Sequence, residues 1–218
     1  MAQKFHNELK RLKDDVMAMS LLAGDMLTKA VQALKILDIN LAEIVISQKD
    51  SLADNDERIE TNALKLMTLY QPMAKDVRTI ACILKVITYL NRIGRYGKDI
   101  AKVTLEIQKE SQVAKLVNIP NMASLVGQMI DDVLNAFNTG DLSRIDVKSL
   151  TERDDDLDAM RYSIFRECIS YMLEDPRTIT ICSNYIMVAR YLERCGDHAC
   201  KMAEKIWFME TGKRVEIS

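Results

Sequence analysis

Two carboxylate pairs at four-residue spacing are the residues best suited to chemistry in this chain: Asp154 with Asp158, and Glu193 with Asp197. On a helix, side chains four apart share one face, with β-carbons about 5–6 Å from each other. When two such helices are antiparallel neighbours joined by a short turn, the pairs converge and four carboxylates surround one point. Like charges held that close raise one another's pKa, so the cluster stays ionised most easily around a cation. All-oxygen ligation suits magnesium, calcium or manganese, and carboxylate-rich bundles also hold iron. The bland reading is a solvated acidic face neutralised by Arg153, Arg161, Arg190 and Arg194. His198 lies about 100° further round the helix than Asp197 and is at most an outer-layer contributor.

Other reactive residue types form no comparable pattern. The cysteines Cys82, Cys168, Cys182, Cys195 and Cys200 lack CxxC spacing and read as buried thiols in a reducing compartment. Cys195 and Cys200 flank Asp197 and His198 without matching a zinc motif. The methionines sit mostly on apolar faces and read as core, and His6 reads as solvated. Neither a Gly-rich phosphate loop nor a nucleophile elbow nor a Ser/His/Asp arrangement is recognisable, so the chain is not expected to be an enzyme.

The elements that must position these acids are helical. Phe5, Leu9, Leu12, Val16, Met19, Met26, Ala30 and Ala33 recur at three- and four-residue steps and predict a helix over residues 3–37. A second periodic stretch passes through Ile44, Val45, Ile59, Ala63 and Leu66 and ends before Pro72, which forces a turn at Gln71. A third runs from about Asp76 past Ile107. After a loop around Asn118-Ile119-Pro120 the pattern restarts, with helices over about 122–137, 142–173 and 178–210. Gly140 closes the first of these and Asp141 caps the next. The chain is thus expected to be all-α, six helices in two tandem three-helix bundles, residues 1–117 and 121–212.

Composition agrees with long helices: 48% apolar and 28% charged residues, seven Gly and three Pro. A net charge of −2 provides no whole-molecule field for nucleic acid or an anionic membrane. The opening segment MAQKFHNELKRLKDD has no apolar core for a signal peptide, and no stretch approaches 18 apolar residues, so no membrane span and a cytoplasmic location are expected.

The two halves repeat. Tyr89-Leu90-Asn91-Arg92-Ile93-Gly94-Arg95 aligns with Tyr191-Leu192-Glu193-Arg194-Cys195-Gly196-Asp197, and Ile100-Ala101 with Met202-Ala203. Upstream, Asp50 and Asp54 fall opposite Asp154 and Asp158 if the intervening turn differs by two residues. The first repeat then carries a degenerate site of Asp50, Asp54, Asn91 and Arg95, in which Arg95 is expected to replace the metal by pairing with Asp50, Asp54 or Asp99.

The run from Tyr191 through Asp197-His198-Ala199, followed by Met202-Ala203-Glu204, resembles the third-helix signature of the PhoU family. Gln71-Pro72-Met73-Ala74-Lys75-Asp76-Val77-Arg78 is similar to that family's turn between helices two and three of the first repeat. The resemblance covers essentially the whole chain. It implies tandem three-helix bundles, homodimer formation, and negative regulation of phosphate uptake linking a transporter's ATPase subunit to a sensor histidine kinase. Some members of that family carry multinuclear iron or zinc clusters on such acidic motifs, and together with the oxygen-donor reading this leads to the expectation of a divalent or trivalent metal ion, Fe, Zn, Mn or Mg. Two alternatives remain at this stage: a metal-free helical adaptor, and a di-iron carboxylate oxidase. The oxidase would need Glu-x-x-His ligands, and no Glu here has a His three residues on.

Overall fold

The computed structural model describes residues 2–108 and 118–217, so the expected end of the first repeat at residue 117 lies outside the described residues. Helix α1, Ala2–Ile36, buries the periodic face that begins at Phe5 and Leu9. Helix α2, Ile39–Ser47, is capped by Asp38, whose Oδ1 accepts from the Leu41 N–H at 3.0 Å. Gln48 alone separates it from α3, Lys49–Tyr70. The Gln48 N–H donates to Val45 and its carbonyl accepts from Leu52, so hydrogen bonding passes through the break and the two segments act as one rod. That rod ends before the proline, as expected, with Gln71 in the left-handed geometry of a helix-end cap at φ 46°. Helix α4, Lys75–Ile107, completes the first half.

The second half differs from expectation at three boundaries. Asn118-Ile119-Pro120 is not a loop but the first turn of α5, Asn118–Thr139. A proline is tolerated there because first-turn N–H groups have no intrahelical acceptor to lose. Asp141 does cap, but it caps a three-residue 3-10 turn, Leu142–Arg144, not a long helix. Helix α6, Val147–Glu174, starts later and has its own cap, Asp146, which accepts from the Ser149 N–H. Helix α7, Ile179–Thr211, stops at Gly212, φ 71°. The folded unit nevertheless continues past residue 212. The Ile217 side chain is buried and its N–H donates to Glu204 Oε1 at 3.1 Å.

Counting α2 and α3 as one rod, the described residues form six helices in two runs of three. The rods α1, α2–α3 and α4 pack together, as do α5, α6 and α7, and the halves join through α4 on α7 and α1 on α5. One continuous apolar core runs through both.

Helices α4 and α7 are antiparallel. Near the start of α4, Arg78 Nε donates to the Met209 carbonyl near the end of α7, and Lys75 pairs with Glu210 at 2.9 Å. Further along, Tyr89 lies against His198 and Tyr96 against Tyr191, each with ring centroids 5.4 Å apart. In the repeat alignment Tyr89 matches Tyr191 and Tyr96 matches His198. The two contacts are therefore one contact seen twice, related by an approximate two-fold axis between the halves.

Candidate carboxylate centre

The acids of the second half are set by how closely α6 and α7 approach. Gly196 permits it: a β-carbon there would collide with Leu157 Cδ1 and lie 3.5 Å from Asp154 Oδ1. Leu157 thus seats over Gly196. Asp154 and Asp158 flank the leucine on α6, and Glu193 and Asp197 flank the glycine on α7.

All four interact. The Asp154 carboxyl is pushed up to about 6, first by burial, then by the charges of Asp197 and Asp158, against a hydrogen bond from Cys200. The Glu193 carboxyl is also raised, by burial and by Asp197, with Arg194 and Arg161 opposing. The two acidic faces are thus near enough for their charges to act on one another. Burial pushes the Cys200 thiol up to about 12 and raises Cys195 as well, so both are neutral thiols as the side chains stand. All five cysteines are free and buried.

Two arginines contact three of the four acids. Arg161 Nε lies 3.6 Å from Asp158 Oδ1 and 3.7 Å from Glu193 Oε1. Arg194 donates to Asp197 Oδ2 at 2.8 Å and approaches Glu193 Oε2 at 3.5 Å. Arg153 serves elsewhere, pairing with Asp132 of α5 at 2.9 Å. As the side chains stand, no group of three or more His, Cys, Asp or Glu among the described residues is gathered to hold a metal. Asp158, Glu193 and Asp197 are divided between the two guanidinium groups, and Asp154 takes its hydrogen bond from Cys200. Those contacts are incomplete, for Glu193 Oε2 and Arg161 Nε are both buried without a hydrogen bond. Glu193 Oε2, buried with no hydrogen bond and only an ion-pair contact to Arg194 at 3.5 Å, and the carboxylates around it are oxygen donors of the kind a hard cation takes.

His198 faces away from this centre. It packs between Tyr89 and Tyr96 in the contact between halves, with Nε2 buried and unbonded. It is a core residue of the α4–α7 seam rather than an outer-layer partner of the acids.

The first repeat is more degenerate than expected, because the register read from the aspartates is off by one residue. Gly94 is contacted by Leu52 as Gly196 is by Leu157. Buried Val45, Leu52, Ile59 and Ala63 then match buried Leu150, Leu157, Ile164 and Cys168. The equivalents of Asp154 and Asp158 are Lys49 and Ala53, not Asp50 and Asp54, which are exposed. Arg95 is exposed too, and among the described residues it makes no ion pair with Asp50, Asp54 or Asp99. Asp99 pairs instead with Lys98 at 3.0 Å. Asn91 is the position that holds a contact: its Nδ2 donates to Asp56 Oδ2 at 2.6 Å. Asp56 matches Arg161, so the link between the second and third rods survives with its polarity reversed. Aligning the halves by their buried positions would have revealed Lys49 and Ala53.

Comparison with known proteins covers both halves. A family model described as PhoU domain matches residues 16–104 and again 119–206. The chain is similar to the phosphate-specific transport system accessory protein PhoU homolog of Rhizobium meliloti, 35% identical over 95% of this chain and 87% of that protein. The homolog of Caulobacter vibrioides is 35% identical over 98% of this chain and 92% of its own. Among solved structures, PhoU from Pseudomonas aeruginosa superposes with a TM-score of 0.90 at 30% identity, covering 96% of this chain and all of that one. The phosphate transport system regulatory protein PhoU from Streptococcus pneumoniae gives 0.88 at 27% identity, over 97% and 99%.

Proposed function

This chain belongs to the PhoU family, and on that premise we propose that it is a regulatory accessory protein of phosphate transport that acts by stoichiometric binding to other proteins. The observation that carries this reading is the double match of the PhoU domain, with relatives aligned along nearly the whole chain and named for the phosphate-specific transport system. Its partners in this proposal are the transporter's ATPase subunit and a sensor histidine kinase. Their joint engagement at high phosphate would restrain uptake. A cytoplasmic homodimer is the form proposed. Among the described residues no helix is long and apolar enough to cross a membrane, which is compatible with that placement.

Asp154, Asp158, Glu193 and Asp197 are proposed to hold a divalent or trivalent cation, Fe, Zn, Mn or Mg. The cation would offset the burial and the neighbouring negative charges that raise the Asp154 and Glu193 carboxyls. This chain's own part is to hold two acidic helix faces together through the Leu157–Gly196 contact and to shield Glu193 from water. The first repeat, with Lys49, Ala53, Asn91 and Arg95 in the matching places, is not proposed to bind a cation. Neither the oxidase nor the metal-free adaptor is favoured by an observation on this chain.

The test is to retrieve the full-length protein from phosphate-replete cells under gentle cross-linking and identify what accompanies it. Recovery of a phosphate transporter's ATPase subunit or a sensor kinase is expected. Recovery of neither, with uptake unchanged in cells lacking the protein, rejects the reading.

A further inference from the structure

We propose that Arg161, one of two arginines on the carboxylate centre, is the counter-ion that competes with a cation for it, so that this arginine sets the site's cation affinity. The inference rests on the reading of Asp154, Asp158, Glu193 and Asp197 as a cation site, and it concerns what regulates that site.

Arg161 is on α6 and reaches across to α7, touching Asp158 of its own helix and Glu193 of the other. It therefore bridges the same two acidic faces that a cation would bridge. Its hold is loose: both contacts are longer than a good charged hydrogen bond of about 2.7–2.9 Å, and its Nε is buried with no hydrogen bond. Glu193, only 13% exposed at its side chain, meets Arg161 through Oε1, while its Oε2 has no hydrogen bond and lies 3.5 Å from Arg194 Nε. The pair holds charge balance without satisfying its atoms. A cation bound to Glu193 would satisfy Oε2 and would repel the Arg161 guanidinium held at the neighbouring Oε1.

The arginine has a second place to go. Its guanidinium carbon already lies 4.3 Å from the centroid of the Tyr162 ring, and Tyr162 is exposed on the outer face of α6. Withdrawal from Glu193 onto that ring leaves the charge over a π-face near solvent instead of unpaired in the interior. Tyr162 is followed along the same exposed side by Phe165 and Ile169. Cation entry would thus change the charge presented beside an apolar patch. Arg194 is a poorer candidate for the competitor, since it is more exposed and is anchored to Asp197 at 2.8 Å. The first repeat is a natural contrast, because the matching residue there is Asp56, hydrogen-bonded to Asn91 with the charge reversed.

The experiment measures Mn2+ binding to the full-length, chelator-stripped protein by calorimetry, for wild type, Arg161→Met, Arg161→Gln and Glu193→Gln. Both Arg161 variants are expected to bind Mn2+ at least about tenfold more tightly than wild type, equal to about 1.4 kcal/mol. Glu193→Gln should lose binding. In wild type, diamagnetic Zn2+ should shift the Arg161 Nε–H and Tyr162 ring resonances together. Equal or weaker Mn2+ affinity in the folded Arg161 variants overturns the competition while leaving the cation site intact. Absence of Mn2+ uptake by wild type and by both Arg161 variants, all folded by circular dichroism, overturns the site and the inference together.

Discussion

Tyr96 and His198 stack face to face across the seam between the two halves, with centroids 5.9 Å apart and planes 13° from parallel. They are equivalent residues of the two repeats and so meet on the approximate two-fold axis. The histidine buried there is held neutral: burial, then Arg92, brings its pKa down to about 4, with Arg194 adding and Asp197 opposing.

That burial predicts an acid sensitivity. Unfolded, His198 takes up a proton below about 6.5, whereas folded it does so only below about 4. Between those values the unfolded chain binds the extra proton, so stability falls as pH falls. His198→Phe, which keeps a ring in the stack, should remove a loss of about 2 kcal/mol between pH 7.5 and pH 5 in urea unfolding. An unchanged pH dependence in the variant would contradict the assignment.

Asp154 predicts the opposite sign. Its folded pKa of about 6 lies above the ordinary carboxylate value, so its contribution is present at low pH and is lost as pH rises through about 6. With chelator present, Asp154→Asn should stabilise the protein by about 1–2 kcal/mol at pH 7.5, with the gain fading toward pH 4. Because this term and the His198 term oppose each other in overlapping windows, the single variants are more informative than the wild-type profile.

The glycines separate into needed and replaceable ones. A β-carbon at Gly97 would meet the backbone of α1 at 2.9 Å from Leu27 N, and backbone does not move aside as a flexible side chain does. Gly24 and Gly127 face open space within their helices. Thermal melts should show Gly24→Ala and Gly127→Ala each stabilising by about 0.5–1 kcal/mol. Gly97→Ala should cost about 2 kcal/mol or more.

Glu204 ties down the end of the described chain. It is buried, accepts from the Ile217 N–H at 3.1 Å and from Lys201 Nζ at 2.7 Å, and lies near Lys205. Glu204→Ala should release the segment around Ile217, seen as loss of amide-exchange protection there. A charged hydrogen bond of about 1.5–3 kcal/mol sets the size of the effect. Protection retained at Ile217 would show that side-chain burial alone holds it.

Much of this was legible in the residues. Apolar spacing of three and four predicts the helices, Asp and Gly mark most of their ends, and the matching Tyr-Leu-x-Arg-x-Gly runs reveal the repeat, because these signals are local to a turn or a face. Spacing also predicts that Asp154, Asp158, Glu193 and Asp197 share a site. Three things depended on packing between distant segments. The register of the halves is set by Leu52 on Gly94 and Leu157 on Gly196. An aspartate-rich stretch matches itself equally well one residue out, so charge pattern alone put Asp50 and Asp54 where Lys49 and Ala53 belong. Which helix face His198 turns to was undecided until α4 lay against α7. The contact of Arg161 on α6 with Glu193 on α7 is likewise a matter of reach between helices. Sequence by itself determines which residues share a helix face; only the tertiary structure decides what that face meets, because the meeting depends on where bare glycine backbone lets a neighbouring helix come close.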